Sequence, residues 1–150
     1  EIENVNFIFP TLEMLAGNFL GCGELICPMM DARRNQVYTA VYRCEGEELV
    51  PVVAQKACAL DEVLAELNSL QQPVVLLGDG VDAYKAQIQA GLTVNYRLAA
   101  LHQNRQRAGS LATLALQKAK NGQMMPGSEL VPEYLRLSQA ERERLEKEQK

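Results

Sequence analysis

The chain has 150 residues, of which 47% are hydrophobic and 23% are charged, and its formal net charge is −4. This composition predicts one globular domain with a real core and argues against a disordered segment. The sequence pI is about 5.1, and an acidic surface repels phosphate backbones, so tight nucleic-acid binding by this chain alone is not expected. No apolar run approaches the length needed to cross a bilayer, and no signal peptide is recognisable at the start.

The hydrophobic pattern divides the first part of the chain into a helix and three strands. Residues 5–9 (VNFIF) are typical of the end of a strand, and PTLEMLAGNFL predicts a helix that Thr11 caps. Strands are predicted at 24–32, 36–44 and 48–57. Because Pro51 donates no ladder hydrogen bond, we expect the third of these strands at a sheet edge.

Helices and strands then alternate. A helix is predicted at 60–70, a strand at 73–80, a helix at 81–91, a strand at 92–98 and a helix near 104–120. In the last helix the expected buried stripe consists of Ala108, Leu111, Ala112, Ala115 and Ala119. Residues 121–132 read as a loop, 133–137 as a short strand-like piece, and the remainder as a charged tail.

After the first helix the order of elements is β-β-β-α-β-α-β-α. Three antiparallel strands followed by two crossover units predict an α/β fold, with a mixed five-stranded sheet flanked by helices. This is the order of the ribonuclease-H-like fold, which is also the repeating half of the actin-like ATPases. The order of elements alone does not assign a function.

In that topology the first and fourth strands are parallel neighbours, so Asp31 and Asp79 should emerge at the same end of the sheet, where ligands of open α/β sheets gather. Three interpretations stay open. The two carboxylates hold magnesium for a nuclease or phosphotransferase, with Glu62 or Glu66 assisting. Alternatively, the corner with Gly78–Asp79–Gly80 faces a nucleotide cleft. In the third interpretation Asp31 pairs with Arg33 or Arg34 and stiffens a turn.

Other reactive side chains are sparse. The four cysteines, Cys22, Cys27, Cys44 and Cys58, contain no Cys-x-x-Cys pair, and we expect free or buried thiols rather than a zinc site. The single histidine, His102, precedes a helix and is expected at the surface. Arg97, His102, Arg105 and Arg107 form a basic stretch without interleaved aromatic residues, so a solvated helix start is favoured over an RNA contact.

The succession PTLEMLA, PMMDARRNQVYTAVYR, LLGDGVDAY and VPEYLR resembles the second half of the TsaB (YeaZ) family. The resemblance covers roughly residues 10–137, with Pro132-Glu133-Tyr134-Leu135-Arg136 where the family has P-V-YLR. Residues 1–9 then correspond to the last strand of an absent first lobe, 10–137 to the second, ribonuclease-H-like lobe, and 138–150 to the tail.

The resemblance implies a cytoplasmic, non-catalytic subunit of the machinery that makes threonylcarbamoyladenosine in tRNA. A TsaD-like transferase and a TsaE-like ATPase are the implied partners, without membrane contact and without direct nucleic-acid contact by this lobe. It implies no cofactor or metal in this chain, and ATP or ADP only in the intact complex. The residues that would face such a cleft are Asp31, Arg33, Gly78, Asp79 and Gly80. Residues 5–9, as an exposed strand, would favour a homodimer.

Overall fold

The structure, a computed structural model, describes residues 9–124 and Leu135. The strands are β1 (Leu25–Asp31), β2 (Gln36–Glu45), β3 (Glu48–Ala59), β4 (Val74–Leu77) and β5 (Tyr96–Leu98). The helices are α1 (Thr11–Ala16), α2 (Leu60–Leu70), α3 (Asp79–Ala83), α4 (Lys85–Gly91) and α5 (Ala108–Lys120). Short 3₁₀ turns cover Gly17–Phe19 and Leu101–Gln103.

The strands form one five-stranded sheet in the order β3-β2-β1-β4-β5. β1, β2 and β3 pair antiparallel, whereas β1 pairs with β4, and β4 with β5, in parallel. The predicted mixed sheet and the parallel contact between the first and fourth strands are therefore confirmed. β3, which carries Pro51, lies at one edge, as the missing N–H donor predicts.

Each face of the sheet carries its own apolar cluster, because successive strand residues point to opposite sides. On one face, α2 and α4 cover Leu25, Met29 and Leu76. On the other face, α1 and the following 3₁₀ turn cover Ile26, Val75 and Leu77. The interior strand β4 has four residues and all are buried, as expected of a parallel strand covered on both sides.

One predicted detail is wrong in each of the first and third predicted helices. Thr11 does not cap α1: Pro10 is the N-cap, and its carbonyl accepts the Met14 N–H at 3.1 Å. The predicted helix at 81–91 begins earlier, at Asp79, and breaks into α3 and α4 at Tyr84, whose φ of −117° lies outside the helical range. The helix end at Gly91 is confirmed.

The stripe predicted for α5 is only partly correct. Leu111, Ala115 and Ala119 are half-buried, but Ala108 and Ala112 are exposed, and the buried residue of the helix is Leu114. Two contacts orient the helix: the Ser110 hydroxyl donates to Asn18 Oδ1 at 2.7 Å, and Leu114 packs so closely over Gly17 that a Cβ there would lie 2.8 Å from Cδ1. The strand predicted at 92–98 is shortened to Tyr96–Leu98.

Three predictions fall outside the described residues: the strand at 5–9, apart from Phe9, the strand-like piece at 133–137, apart from Leu135, and the tail. Leu135, from the predicted P-x-YLR motif, packs against the cluster under α1. Within the described ranges, no helix has both the length and the apolar character that a membrane span requires.

Candidate functional site

The carboxyl ends of β1 and β4 bring Asp31 and Asp79 together, as the topology predicts. Asp31 is the last residue of β1, and Asp79 is the first residue of α3, one residue beyond Gly78. The Asp31 backbone N–H donates to Asp79 Oδ1 at 3.2 Å. We define this corner, with the Asp31–Asn35 turn and the Gly78–Gly80 turn, as the β1–β4 corner.

The Gly78–Gly80 turn lies directly against the backbone of β1. Gly78 has a φ of +99°, and a Cβ on it would lie 2.1 Å from the Met29 carbonyl oxygen. A Cβ on Gly80 would lie 3.1 Å from backbone atoms of Met29 and Met30. Gly78 therefore permits a backbone approach that a side chain would prevent, and Gly80 permits one at which the neighbouring backbone would have to shift slightly for a side chain.

Asn104 completes this turn, although the sequence reasoning did not single it out. The Gly78 N–H donates to Asn104 Oδ1 at 2.6 Å, and Asn104 Nδ2 donates to Asp82 Oδ2 at 3.4 Å. The Gly78 N–H, which lies in the turn predicted to face a nucleotide cleft, is thus bonded within the chain. No local pattern indicates Asn104, because 26 residues separate it from Gly78.

The Asp31 carboxylate is also held within the chain. Its Oδ1 accepts hydrogen bonds from the Arg33 N–H and from the Tyr84 hydroxyl, both at 2.8 Å. The hydrogen bond from the Arg33 N–H is the main cause that lowers the pKa of Asp31, and the bond from the Tyr84 hydroxyl lowers it further. The same bond raises the pKa of Tyr84. The interpretation in which Asp31 stiffens a turn has these contacts in its favour.

The turn between β1 and β2 has an uncommon backbone. Arg33, Arg34 and Asn35 have φ values of 65°, 55° and 58°, all in the left-handed region that favours glycine. Asn35 braces the turn, because its carbonyl accepts the Leu60 N–H at 3.2 Å and its Oδ1 accepts Gln87 Nε2 at 3.1 Å. The Arg33 side chain is 88% exposed and lies 3.8 Å from Asp31 Oδ2.

The carboxylates proposed to assist a magnesium ion are bound elsewhere. Glu62 and Glu66 form ion pairs with Lys56 Nζ at 2.8 and 3.0 Å. The hydrogen bond that Lys56 donates to Glu62, and next the one to Glu66, raise the pKa of Lys56. In the part of the chain that the structure describes, no group of three His, Cys, Asp or Glu side chains could hold a metal ion.

The predicted basic stretch does not act as one cluster. Arg97 donates to both carboxylate oxygens of Glu24: Nε lies 3.0 Å from Oε1, and Nη2 lies 2.6 Å from Oε2. The Arg97 guanidinium also stacks over the Phe19 ring, 5.4 Å from the ring centre. His102, Arg105 and Arg107 are exposed. His102 lies at the surface in a 3₁₀ turn, as predicted.

All four cysteines are free thiols. Cys27 and Cys58 are buried, and Cys22 and Cys44 are half-buried. Burial raises the pKa of Cys27 to about 12, although Thr39 donates or accepts a hydrogen bond at 3.4 Å from its sulfur. A thiol with such a pKa is not a nucleophile at neutral pH, so Cys27 is a packing residue.

The fold and the β1–β4 corner together define a class of protein. It is a ribonuclease-H-like domain in which the carboxylates and glycines beyond the carboxyl ends of β1 and β4 are bonded to, or packed against, neighbouring backbone and side chains. Two arginines project from the same end. Such an end can form a rigid contact surface.

Comparison with known proteins gives the family. The model of the TsaD family, described as tRNA N6-adenosine threonylcarbamoyltransferase, matches residues 10–144. The tRNA threonylcarbamoyladenosine biosynthesis protein TsaB of Bacillus subtilis (strain 168) is 36% identical over 131 residues, which cover 87% of this chain and 56% of that protein. The chain therefore belongs to the family that this model describes, and the predicted membership of the TsaB (YeaZ) family is confirmed.

Two solved structures share the fold. A Pseudomonas aeruginosa protein described as similar to peptidase YeaZ matches with a TM-score of 0.68 and 19% identity, over 85% of this chain and 57% of that one. YeaZ from Pseudomonas aeruginosa matches with a TM-score of 0.66 and 17% identity, over 87% and 60%. The predicted fold class is thereby confirmed. The chain spans little more than half the length of these relatives.

Proposed function

We propose that this chain is the second lobe of a non-catalytic subunit that supports a TsaD-type transferase in the threonylcarbamoyladenosine modification of tRNA. The observation that carries the proposal is the 36% identity to TsaB of Bacillus subtilis over 131 residues. We place its partners, a TsaD-type transferase and a TsaE-type ATPase, in the cytoplasm with it. Residues 1–9 would then belong to the sheet of the first lobe.

The geometry of the β1–β4 corner supports a role without bond making. Asp31 accepts hydrogen bonds from Arg33 and Tyr84, and Asp79 accepts one from the Asp31 N–H. These bonds orient the carboxylates toward neighbouring protein groups. A general base would instead need its lone pairs within reach of a substrate proton.

Nucleotide binding at Asp31, Arg33, Gly78, Asp79 and Gly80 stays a prediction. Asn104 already accepts the Gly78 N–H at 2.6 Å, and the two glycines are explained by their approach to β1. We therefore assign any ATP or ADP of the intact complex mainly to its other components.

The test of the proposal uses the intact protein and the TsaD-type subunit of the same organism. We expect the two to co-purify under native conditions, and we expect the modified nucleoside to disappear from tRNA when the intact protein is depleted. Mass spectrometry of tRNA nucleosides measures the second effect. Absence of complex formation together with unchanged tRNA modification would overturn the proposal.

A second test separates a scaffold from an enzyme. The Asp31→Asn and Asp79→Asn variants should support modification in the reconstituted system at close to the parent rate, provided that they bind the partner as the parent does. A loss of rate with intact partner binding would indicate a catalytic role. In that case a magnesium titration followed by NMR should perturb both residues together, as a magnesium-dependent nuclease or phosphotransferase requires.

A further inference from the structure

Two of the four thiols, Cys22 and Cys44, pack against the same apolar cluster on the α1 face of the sheet. Cys22 follows the 3₁₀ turn Gly17–Phe19, and Cys44 lies near the end of β2. The Phe19 carbonyl oxygen accepts the Cys22 backbone N–H at 3.1 Å and the Cys44 thiol at 3.4 Å. One carbonyl group therefore joins the backbone of the first cysteine to the sulfur of the second.

The register of the sheet brings the Cys22 sulfur toward the same place. Ile26 pairs with Tyr42 across the antiparallel strands β1 and β2, so Glu24 lies level with Cys44 two residues further along. Opposite Cα atoms in an antiparallel pair are about 4.5–5.5 Å apart. The Cys22 thiol donates to the Glu24 carbonyl at 3.4 Å. The Cys22 sulfur therefore contacts the residue that faces Cys44.

These two thiols differ from the other two in their access to solvent. Cys22 and Cys44 are half-buried, whereas Cys27 and Cys58 are buried. Each thiol of the first pair donates only a weak hydrogen bond to a backbone carbonyl, so its oxidation removes little from the fold. Burial is the main cause that raises the pKa of Cys22, and the nearby Cys44 raises it further. The first pair is thus reduced, electrostatically coupled and open to a small oxidant.

We propose that Cys22 and Cys44 form a reversible disulfide that clamps the 3₁₀ turn to β2 under oxidising conditions. The oxidant is a low-molecular-weight disulfide. The Cys22 thiolate attacks one of its sulfurs and expels a thiolate, which leaves a mixed disulfide on Cys22. The Cys44 thiolate then attacks the Cys22 sulfur and expels the second small thiolate. The two protein thiols lose two electrons and two protons, and the small disulfide becomes two thiols.

The crosslink acts on the part of the molecule that holds α5. Asn18, within the 3₁₀ turn, donates to the carbonyls of Gln103 and Arg105 at 2.8 and 2.7 Å and accepts the Ser110 hydroxyl at 2.7 Å. A disulfide that fixes this turn to β2 therefore also fixes the segment before α5 and the first turn of that helix. The clamp depends on these contacts alone and not on the proposed function.

The experiment equilibrates the intact protein with an excess of oxidised glutathione under native conditions and maps its cysteines by mass spectrometry. Cleavage after arginine, lysine and glutamate places each of the four cysteines in its own peptide. We expect the Cys22 and Cys44 peptides to be joined, with the loss of two hydrogens, and to separate when a reducing thiol is added. Glutathione on either cysteine without a crosslink, a different pairing of either cysteine, or unreacted thiols would overturn the inference.

Two variants and a second measurement test the order of attack and the clamp. Cys44→Ser should stop at the mixed disulfide on Cys22, whereas Cys58→Ala is the matched control and should form the crosslink as the parent does. Backbone amides of residues 17–22 should exchange hydrogen about tenfold more slowly in the oxidised parent, while those of α2 should not change. Equal exchange in the two redox states would overturn the role of the disulfide as a clamp.

Discussion

The β1–β4 corner contains two turns with positive φ values, one at a glycine and one at two arginines. At Gly78, φ is +99° and a Cβ would lie 2.1 Å from the Met29 carbonyl oxygen, and the residue is glycine. At Arg33 and Arg34, φ is 65° and 55°, and the residues are arginines. The first turn has the residue that the backbone requires, whereas the second has residues that the backbone disfavours.

The difference shows that backbone packing determines the amino acid at Gly78 but not at Arg33 and Arg34. Glycine at position 78 is explained by the distance to β1 without any ligand. The Arg33 guanidinium makes one long contact, 3.8 Å from Nε to Asp31 Oδ2, and packing does not explain the exposed Arg34 side chain. The glycine-rich motif is therefore accounted for by backbone packing, whereas the two arginines are not.

The largest expected effect is that of Gly78→Ala. At Gly78 a φ of 99° and a ψ of 166° form a combination that costs about 1–3 kcal/mol for alanine, and displacement of β1 costs about 1–3 kcal/mol more. We expect the free energy of unfolding to fall by about 2–6 kcal/mol in total, measured by urea denaturation. Gly46→Ala is the control, because Gly46 has a φ of +64° and nothing within 4 Å of an added Cβ.

The control should lose only the conformational part, about 1–2 kcal/mol. Equal losses at the two positions would mean that the close approach of Gly78 to Met29 is not what fixes glycine there.

The next effect has the opposite sign. Arg33→Gly/Arg34→Gly relieves about 1–2 kcal/mol of strain at each position, against about 0.5–1 kcal/mol of added chain entropy in the unfolded state for each glycine. We expect a net gain of about 1.5 kcal/mol in the free energy of unfolding. Arg33→Gln/Arg34→Gln retains the strain and should change stability by less than about 0.5 kcal/mol.

A smaller loss is expected from Tyr84→Phe. The substitution removes a 2.8 Å hydrogen bond to the ionised Asp31 carboxylate while the ring is kept. The cost should be about 1 kcal/mol, near the middle of the range for single hydrogen bonds. Tyr96→Phe is the control, because no hydrogen bond of its hydroxyl is found among the described residues; an equal loss there would remove the assigned role of the Tyr84 bond.

The smallest effect is the contribution of Asp31 to acid stability. Its folded-state pKa is lowered, so its contribution is fully present above the unfolded value of about 3.9 and is lost as pH falls through the folded value. The parent should therefore lose stability more steeply than Asp31→Asn below about pH 4. Urea denaturation at a series of pH values measures this, and parallel curves for the two proteins would contradict the assignment.

The sequence predicts the features that depend on chain order and strand pattern. Asp31 and Asp79 meet because each follows a buried strand, and crossover connections make those strands parallel neighbours. The edge position of β3 follows from Pro51 for a similarly local reason.

The remaining features depend on contacts that are distant along the chain. Tyr84 reaches Asp31 across 53 residues, and Asn104 reaches Gly78 across 26. The buried face of α5 is predicted only in part, because alanines fit either face of a helix. The hydrogen bond from Ser110 to Asn18 fixes the orientation of the helix. No local pattern shows that three non-glycine residues of a turn adopt positive φ.

The measurement that tests this account most directly is the rate of tRNA modification in a system reconstituted with the Asp31→Asn variant of the intact protein. On this account the Asp31 carboxylate orders the turn through its bonds with Arg33 and Tyr84 and takes no part in bond making. The variant should therefore support modification at close to the parent rate when it binds the TsaD-type subunit as the parent does. A large loss of rate with unchanged partner binding would contradict the account.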